Sequence, residues 1–286
     1  MLWRTKSSKR QWRLDFSQSH VMGIINVSKD SFSGDGTTVE QAIDQGLAMA
    51  EQGAAILDIG GESTRPGATE VTAEQELNLV VPVVKALASQ LSIPISIDSS
   101  KPEVMAASIE AGAAIINDVT ALQGLGDKHK AKETLDLLAK SDCPIILMHM
   151  QGEPATMQRA PHYHHVMAEV YGFLAERITF CLANGIKKER IIVDPGIGFG
   201  KTAEHNLELM RRQRTFRGLG VPILLGLSRK RIVGKLSGED RPEQRDRASN
   251  LLAAFGCLAG ADIFRVHDVK GACEALKVTR GWWHKH

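Results

Sequence analysis

The chain has 286 residues, a formal net charge of +2 and 43% apolar residues, enough for one large α/β domain with a full core. Charge this close to balance argues against a general nucleic-acid binder, and no run approaches the ~20 apolar residues of a membrane span. The basic stretch from Trp3 to Arg10 has no apolar segment behind it to make a secretory signal, and Cys143, Cys181, Cys257 and Cys273 lack CxxC spacing, so free thiols and a cytoplasmic enzyme are expected.

Residues 1–19 read as an N-terminal extension, in which Gln11–Phe16 alternates weakly enough to suggest a plug or hairpin. Eight short apolar runs follow: Val21–Val27, Ala55–Gly61, Pro94–Asp98, Ala114–Val119, Pro144–Met150, Ile191–Pro195, Pro222–Ser228 and Ile263–Val269. Each has the length and β-branched content of a buried parallel strand. Between them, helical spacing predicts Val39–Gln52, Ala73–Ser89, Lys101–Ala111, Leu135–Lys140, Val166–Asn184, Ala203–Arg217, Asp246–Ala259 and Lys270–Arg280, with Ser99-Ser100 as a candidate N-cap. Strand and helix alternating eight times predict a single (β/α)8 TIM barrel over residues 20–286. An open doubly wound sheet is disfavoured, because no Gly-x-Gly-x-x-Gly opens the first helix. The glycine-rich loops Ser28–Thr38, Glu62–Val71 and Pro154–Pro161 are candidate lids, since βα loops sit over the active site of this fold.

Polar residues gather at the C-terminal ends of the runs: Asn26, Asp58 with Glu62, Asp98, Asn117 with Asp118, His149, Asp194, Lys230, and Arg265 with His267. One site ringed by all eight strands is implied. The local sequences are distinctive. Asn26-Val27-Ser28-Lys29-Asp30-Ser31-Phe32 leaves the first strand, Asp58-Ile59-Gly60-Gly61-Glu62-Ser63-Thr64-Arg65-Pro66-Gly67 the second, and Asp98-Ser99-Ser100-Lys101-Pro102 the third. Asn117-Asp118, His149-Met150-Gln151-Gly152, Asp194-Pro195-Gly196-Ile197-Gly198-Phe199-Gly200-Lys201, Ser228-Arg229-Lys230 and Arg265-Val266-His267 complete the series.

As an ordered set, these motifs closely resemble the dihydropteroate synthase family from about Val21 to Thr279. The resemblance implies a transferase of folate biosynthesis that joins a dihydropterin methyl diphosphate to 4-aminobenzoate and releases diphosphate in an SN1-like step. Asp98, Asn117, Asp194 and Lys230 have the chemistry for a pterin slot: carboxylates accept from amine and ring N–H groups, the amide does both, and the lysine donates to a ring oxygen. Asp98, Asp194 and Lys230 are the candidate catalytic residues, the two acids steadying positive charge as the C–O bond breaks. Thr64, Arg65, Arg265 and His267 match the family's diphosphate-binding positions. Arginine's planar fork suits phosphate, and Mg²⁺ is expected beside Asn26. Phe32, Thr64, Pro66, Lys230 and Arg231 match the 4-aminobenzoate contacts. Small molecules are the expected partners, with no nucleic acid or membrane, and the family resemblance adds a homodimer.

Departures from the family pattern fall in the first loop, where Ser28-Lys29 replaces Thr-Pro and Gly34-Asp35-Gly36 replaces Asp-Gly-Gly, which bears on sulfonamide response and not on reaction class. Three rival readings are a corrinoid-linked methyltransferase, a Schiff-base aldolase built on Lys230, and a pterin binder without turnover. His162-Tyr163-His164-His165 is read as a solvated helix start in preference to a metal cluster, Lys187–Arg190 as an exposed turn, and Trp282-Trp283 as a tail packed under the barrel or at a subunit contact.

Overall fold

The computed structural model describes residues 2–6, 11–27, 37–62 and 71–283. Leu2–Lys6 (β1) and Gln11–Asp15 (β2) pair antiparallel as a hairpin. Eight strands then alternate with helices: β3 His20–Asn26, α1 Val39–Glu51, β4 Ile56–Gly60, α2 Ala73–Gln90, β5 Ile95–Asp98, α3 Pro102–Ala111, β6 Ile115–Asp118, α4 Lys128–Lys140, β7 Ile145–Met148, α5 Val166–Ala183, β8 Ile191–Asp194, α6 Ala203–Arg211, β9 Leu224–Leu225, α7 Arg231–Ser237, α8 Asp246–Leu258, β10 Ile263–Val266 and α9 Val269–Trp283. The eight-stranded sheet runs β8-β7-β6-β5-β4-β3-β10-β9, all pairs parallel. A parallel bridge from Val193 on β8 to Ile223, just before β9, joins the two outer strands and closes the (β/α)8 barrel.

Alternation along each strand sorts its residues into two sets. Outward residues such as Leu57, Ile59, Ile97, Leu147 and Val193 belong to the large core shared with the helices. Inward residues Met22, Ile56, Ile115, Ile146, Ile192, Leu224 and Ile263 form a separate apolar layer low in the barrel, and Leu14 and Phe16 pack into it from the hairpin side. Trp12 anchors the hairpin further, its indole N–H donating to the Ser92 carbonyl at 2.6 Å. Because both faces of the strands are apolar at this level, the sequence reads as unbroken hydrophobic runs. Two residues further along the same inward phase, the side chains become Asp58, Asn117, Asp194 and Arg265.

Helices α1, α2 and α6 start with the same device. Thr38, Thr72 and Thr202 each accept the N–H of the residue three positions on, and Gln41, Gln75 and His205 bond back to the cap. Helix α3 departs from expectation. Its N-cap is Lys101, with Pro102 opening the helix and no side-chain cap, while Ser99 Oγ accepts only the Lys101 N–H. Two further differences have simple causes. Helix α4 begins at Lys128 because Asp127 caps it, and α7 is only 7 residues long, too short to show a period. Arg190 is buried, donating to the carbonyls of Leu138 and Cys143, so the Lys187–Arg190 turn is not wholly exposed. Trp282 is 85% exposed and does not pack under the barrel. No helix among the described residues is long and apolar enough to cross a membrane.

Candidate active site

Strand register aligns Asn26, Gly60, Asp98 and Asn117 side by side across β3, β4, β5 and β6. Asp58 lies inward and below them, fully buried. From β10, Arg265 spans two acids: its Nε donates to Asp58 Oδ2 and its Nη2 to Asp98 Oδ2, each at 2.6 Å. Asn117 Nδ2 donates to the same Asp58 oxygen at 3.0 Å. Burial pushes the Asp98 carboxyl up to about 7, with the Asp58 charge adding to the rise and Arg265 opposing it. Burial would lower the Arg265 pKa, but Asp58 and Asp98 reverse this and hold it above the usual arginine range.

A second group stands at the end of β8 and on the turn after it. Asp194 is buried, which raises its pKa, and its Oδ1 accepts the Gly196 N–H at 2.7 Å. Lys230 reaches in from beyond β9. Its Nζ donates to the Ile197 carbonyl at 2.5 Å and lies 4.6 Å from the centre of the Phe199 ring. Burial lowers its pKa to about 8, with Asp194 opposing. Gly226 leaves the space between these groups open: a Cβ there would lie 3.6 Å from Lys230 Nζ and 3.7 Å from Asp194 Oδ2.

Beneath this turn sits Lys201, 3% exposed. Its Nζ is 2.9 Å from the Gly196 carbonyl, the Phe199 carbonyl and His149 Nδ1, and 3.3 Å from the His149 carbonyl. Burial pushes Lys201 well below the usual lysine range, and these acceptors hold its proton in place. His149, lowered to about 2 by burial and by Lys201, is neutral and accepts through Nδ1. Gly196, Gly198 and Gly200 all have positive φ. At Gly196 a Cβ would fall 1.8 Å from the His149 carbonyl oxygen, so no other residue fits. The Pro154–Pro161 segment rests on this turn, with Met157 buried and Gln158 Nε2 donating to the Gly198 carbonyl.

The other predicted positions are less closely gathered. His267 shares a 2.9 Å hydrogen bond between its Nδ1 and Ser228 Oγ. Asn26 ends β3 partly exposed, and its carbonyl accepts from Thr37. Arg231 is exposed on the first turn of α7. Asp118 faces away from the barrel interior and accepts the N–H groups of Thr120 and Leu122 at 2.8 Å, so it serves the following turn. Glu62 accepts the Val71 N–H and pairs with Lys101, which also pairs with buried Glu76, both at 2.6 Å. Asp98 does not cap α3; its side chain turns to Arg265. Ser28, Lys29, Phe32, Thr64, Arg65 and Pro66 lie outside the described residues. His162, His164 and His165 are exposed ahead of α5, and no cluster of three or more His, Cys, Asp or Glu among the described residues could hold a metal ion.

Comparison with known proteins decides among the chemistries this arrangement permits. A family model described as pterin binding enzyme matches residues 22–267. The dihydropteroate synthase of Escherichia coli (strain K12) is 46% identical over 267 residues, 93% of this chain and 92% of the relative. This chain belongs to the dihydropteroate synthase family. The structure of the Xanthomonas albilineans synthase with 4-aminobenzoic acid superposes with a TM-score of 0.89 at 44% identity, covering 100% of both chains. The same organism's synthase in complex with 7,8-dihydropteroate gives 0.85 at 41%, covering 99% of each. Within this family the inward acids of β4, β5 and β8 acquire a meaning the strand-end pattern only partly conveyed. Asp58 and Lys201 are the residues that pattern left without a role, although the inward phase shared with Ile56 marks Asp58 and the glycine-rich turn after Asp194 leads directly into Lys201.

Proposed function

We infer that the chain joins (7,8-dihydropterin-6-yl)methyl diphosphate to 4-aminobenzoate: the methylene C–O bond breaks, a C–N bond forms, the amine gives up a proton, and diphosphate and 7,8-dihydropteroate leave. The observation that supports this most directly is the gathering of Asp98, Asn117 and Asp194 with Lys230 at the C-terminal ends of the barrel strands, three acceptors and one cationic donor. A flat heterocycle with an amine, ring N–H groups and one carbonyl matches that set. Asp98 and Asp194 steady the positive charge that spreads over the ring as diphosphate departs, so an SN1-like path needs no nucleophilic side chain. Asp58 and Asp98 engage Arg265 through Nε and Nη2; its other N–H groups, with His267 and Arg65, serve the diphosphate. Thr64 joins them there. Phe32, Thr64, Pro66, Lys230 and Arg231 hold 4-aminobenzoate.

Mg²⁺ suits Asn26. A partly exposed asparagine at the barrel mouth, with a single amide oxygen to offer, matches an ion that keeps most of its waters and shares phosphate oxygens. When bound, the ion supplies charge to the leaving group. The four free cysteines accord with a reducing, cytoplasmic setting. A homodimer would use α8, which exposes Leu251, Phe255 and Leu258 along one side. Phe255→Glu should then give a monomer in sedimentation velocity, and a wild-type monomer at micromolar concentration would refute the dimer.

The test of function is turnover with both substrates, scoring diphosphate release and dihydropteroate together, with a sulfonamide titration as a second arm. Tight pterin diphosphate binding without turnover would point to a binder only. Methyl transfer from a reduced folate would point to the corrinoid-linked reaction.

A further inference from the structure

We propose that Asp58 is a positioning residue that fixes which edge of Asn117 is offered to the substrate and thereby sets part of the slot's specificity. This rests on the reading of the barrel interior as a pterin slot. Asp58 is fully buried, and its Oδ2 carries two bonds, from Arg265 Nε at 2.6 Å and Asn117 Nδ2 at 3.0 Å. Its Oδ1 is buried without a hydrogen-bond partner among the described residues. An ion pair with Arg265 alone would not need the bond to Asn117, and the geometry gives Asp58 both.

An ionised carboxylate only accepts. Facing it, Asn117 must turn its NH2 edge inward, which leaves Oδ1 as the edge available to a ligand. Without such a partner an asparagine amide can turn either its accepting or its donating edge to the slot, since the two are nearly the same size and shape. The same carboxylate holds Arg265 Nε, so that Nη2 is directed at Asp98. One buried acid on β4 thus aims residues on β6 and β10, and through Arg265 it bears on Asp98 of β5. The slot then shows acceptors at Asn117, Asp98 and Asp194, and it selects a heterocycle edge that carries N–H donors.

Asp58→Asn is isosteric and tests this. The amide it introduces on β4 can donate or accept, so Asn117 is released. Calorimetry should show the pterin diphosphate bound about 10- to 100-fold more weakly, the loss of one or two buried, charge-assisted bonds. KM for 4-aminobenzoate at saturating pterin should stay within about twofold. Asp58→Asn/Asn117→Ala should bind within about threefold of Asn117→Ala, since no orientation remains to be lost. The acid limb of kcat/KM should move to lower pH. Asp98 faces the charges of Asp58 on β4, Glu76 on α2 and Asp118 on β6, which raise its pKa, and Arg265 on β10, which lowers it. A merely structural acid would alter thermal stability and leave that limb in place.

Wild-type-like affinity in Asp58→Asn, or full additivity with Asn117→Ala, overturns the proposal. Should Asp58→Asn not fold, the wild-type chain still decides. It should prefer the pterin diphosphate over its deaminated analogue, in which an oxo acceptor replaces the 2-amino donor, by at least about tenfold. Equal binding of the two refutes the acceptor arrangement. A wild-type chain that binds neither compound instead sinks the pterin reading itself.

Discussion

Lys201→Met separates the support of the site from its chemistry. The ammonium holds three partners at 2.9 Å, the carbonyls of Gly196 and Phe199 and His149 Nδ1. Methionine fills similar volume and satisfies none of them. Each orphaned buried acceptor costs ~1–3 kcal/mol, or about 3–9 kcal/mol for the three. Against this stands relief from desolvating a buried ammonium, several kcal/mol in real proteins, so the net loss should be about 2–5 kcal/mol. Urea unfolding of both proteins, with the slope compared first, measures it. Because the turn carries the Ile197 carbonyl and the Phe199 ring that seat Lys230, kcat/KM for the pterin diphosphate should also fall, by roughly a hundredfold. A variant as stable and as active as the wild type would show that the carbonyls do not depend on Lys201.

The remaining predictions concern the charged cluster. In the wild type, kcat/KM for the pterin diphosphate should be bell-shaped, rising as Asp98 ionises near pH 7 and falling as Lys230 loses its proton near pH 8; a flat profile from pH 6 to 9 would contradict both assignments. In the free protein, the raised pKa of Asp98 means stability contributed by its proton is present at low pH and declines as pH climbs from the ordinary carboxylate value toward 7. Asp98→Asn should remove this decline together with the acid limb, and should weaken pterin binding about tenfold or more, which calorimetry would reveal. Arg265→Ala leaves Asp58 and Asp98 without their shared cation, so it should destabilise the chain by about 3 kcal/mol or more and move the acid limb upward, opposite to the shift expected for Asp58→Asn. An unmoved limb would mean that the guanidinium does not set the Asp98 charge.

The order of elements was plain in the amino-acid sequence because a barrel strand is apolar on both faces and a barrel helix on one. Asp98, Asn117, Asp194 and Lys230 were also readable, since each sits where an apolar run ends. Asp58 was harder to assign. It was among the strand-end polar residues but had no role there; it lies two residues inside the end of β4, and the inward phase it shares with Ile56 puts it below Asp98 and Asn117. Lys201 follows a glycine-rich turn, where a lysine suggests an exposed anion ligand; that it folds beneath the turn depends on carbonyls supplied by residues distant in sequence, such as His149. Ser99 illustrates the reverse error. Its residue type favours a helix cap, but Pro102 already supplies the helix start, and the hydroxyl accepts a single local N–H.

Leu14 and Phe16 stopper the barrel from below. Among the described residues that leaves the C-terminal ends of the strands as the way in, so under the proposed function a pterin resting against Asp98 and Asn117 should enter before a molecule lodged nearer the rim. On the same reading the joined product should back out along the route by which its deeper half came in. Sequence of arrival is therefore a property of the cork as well as of the reaction.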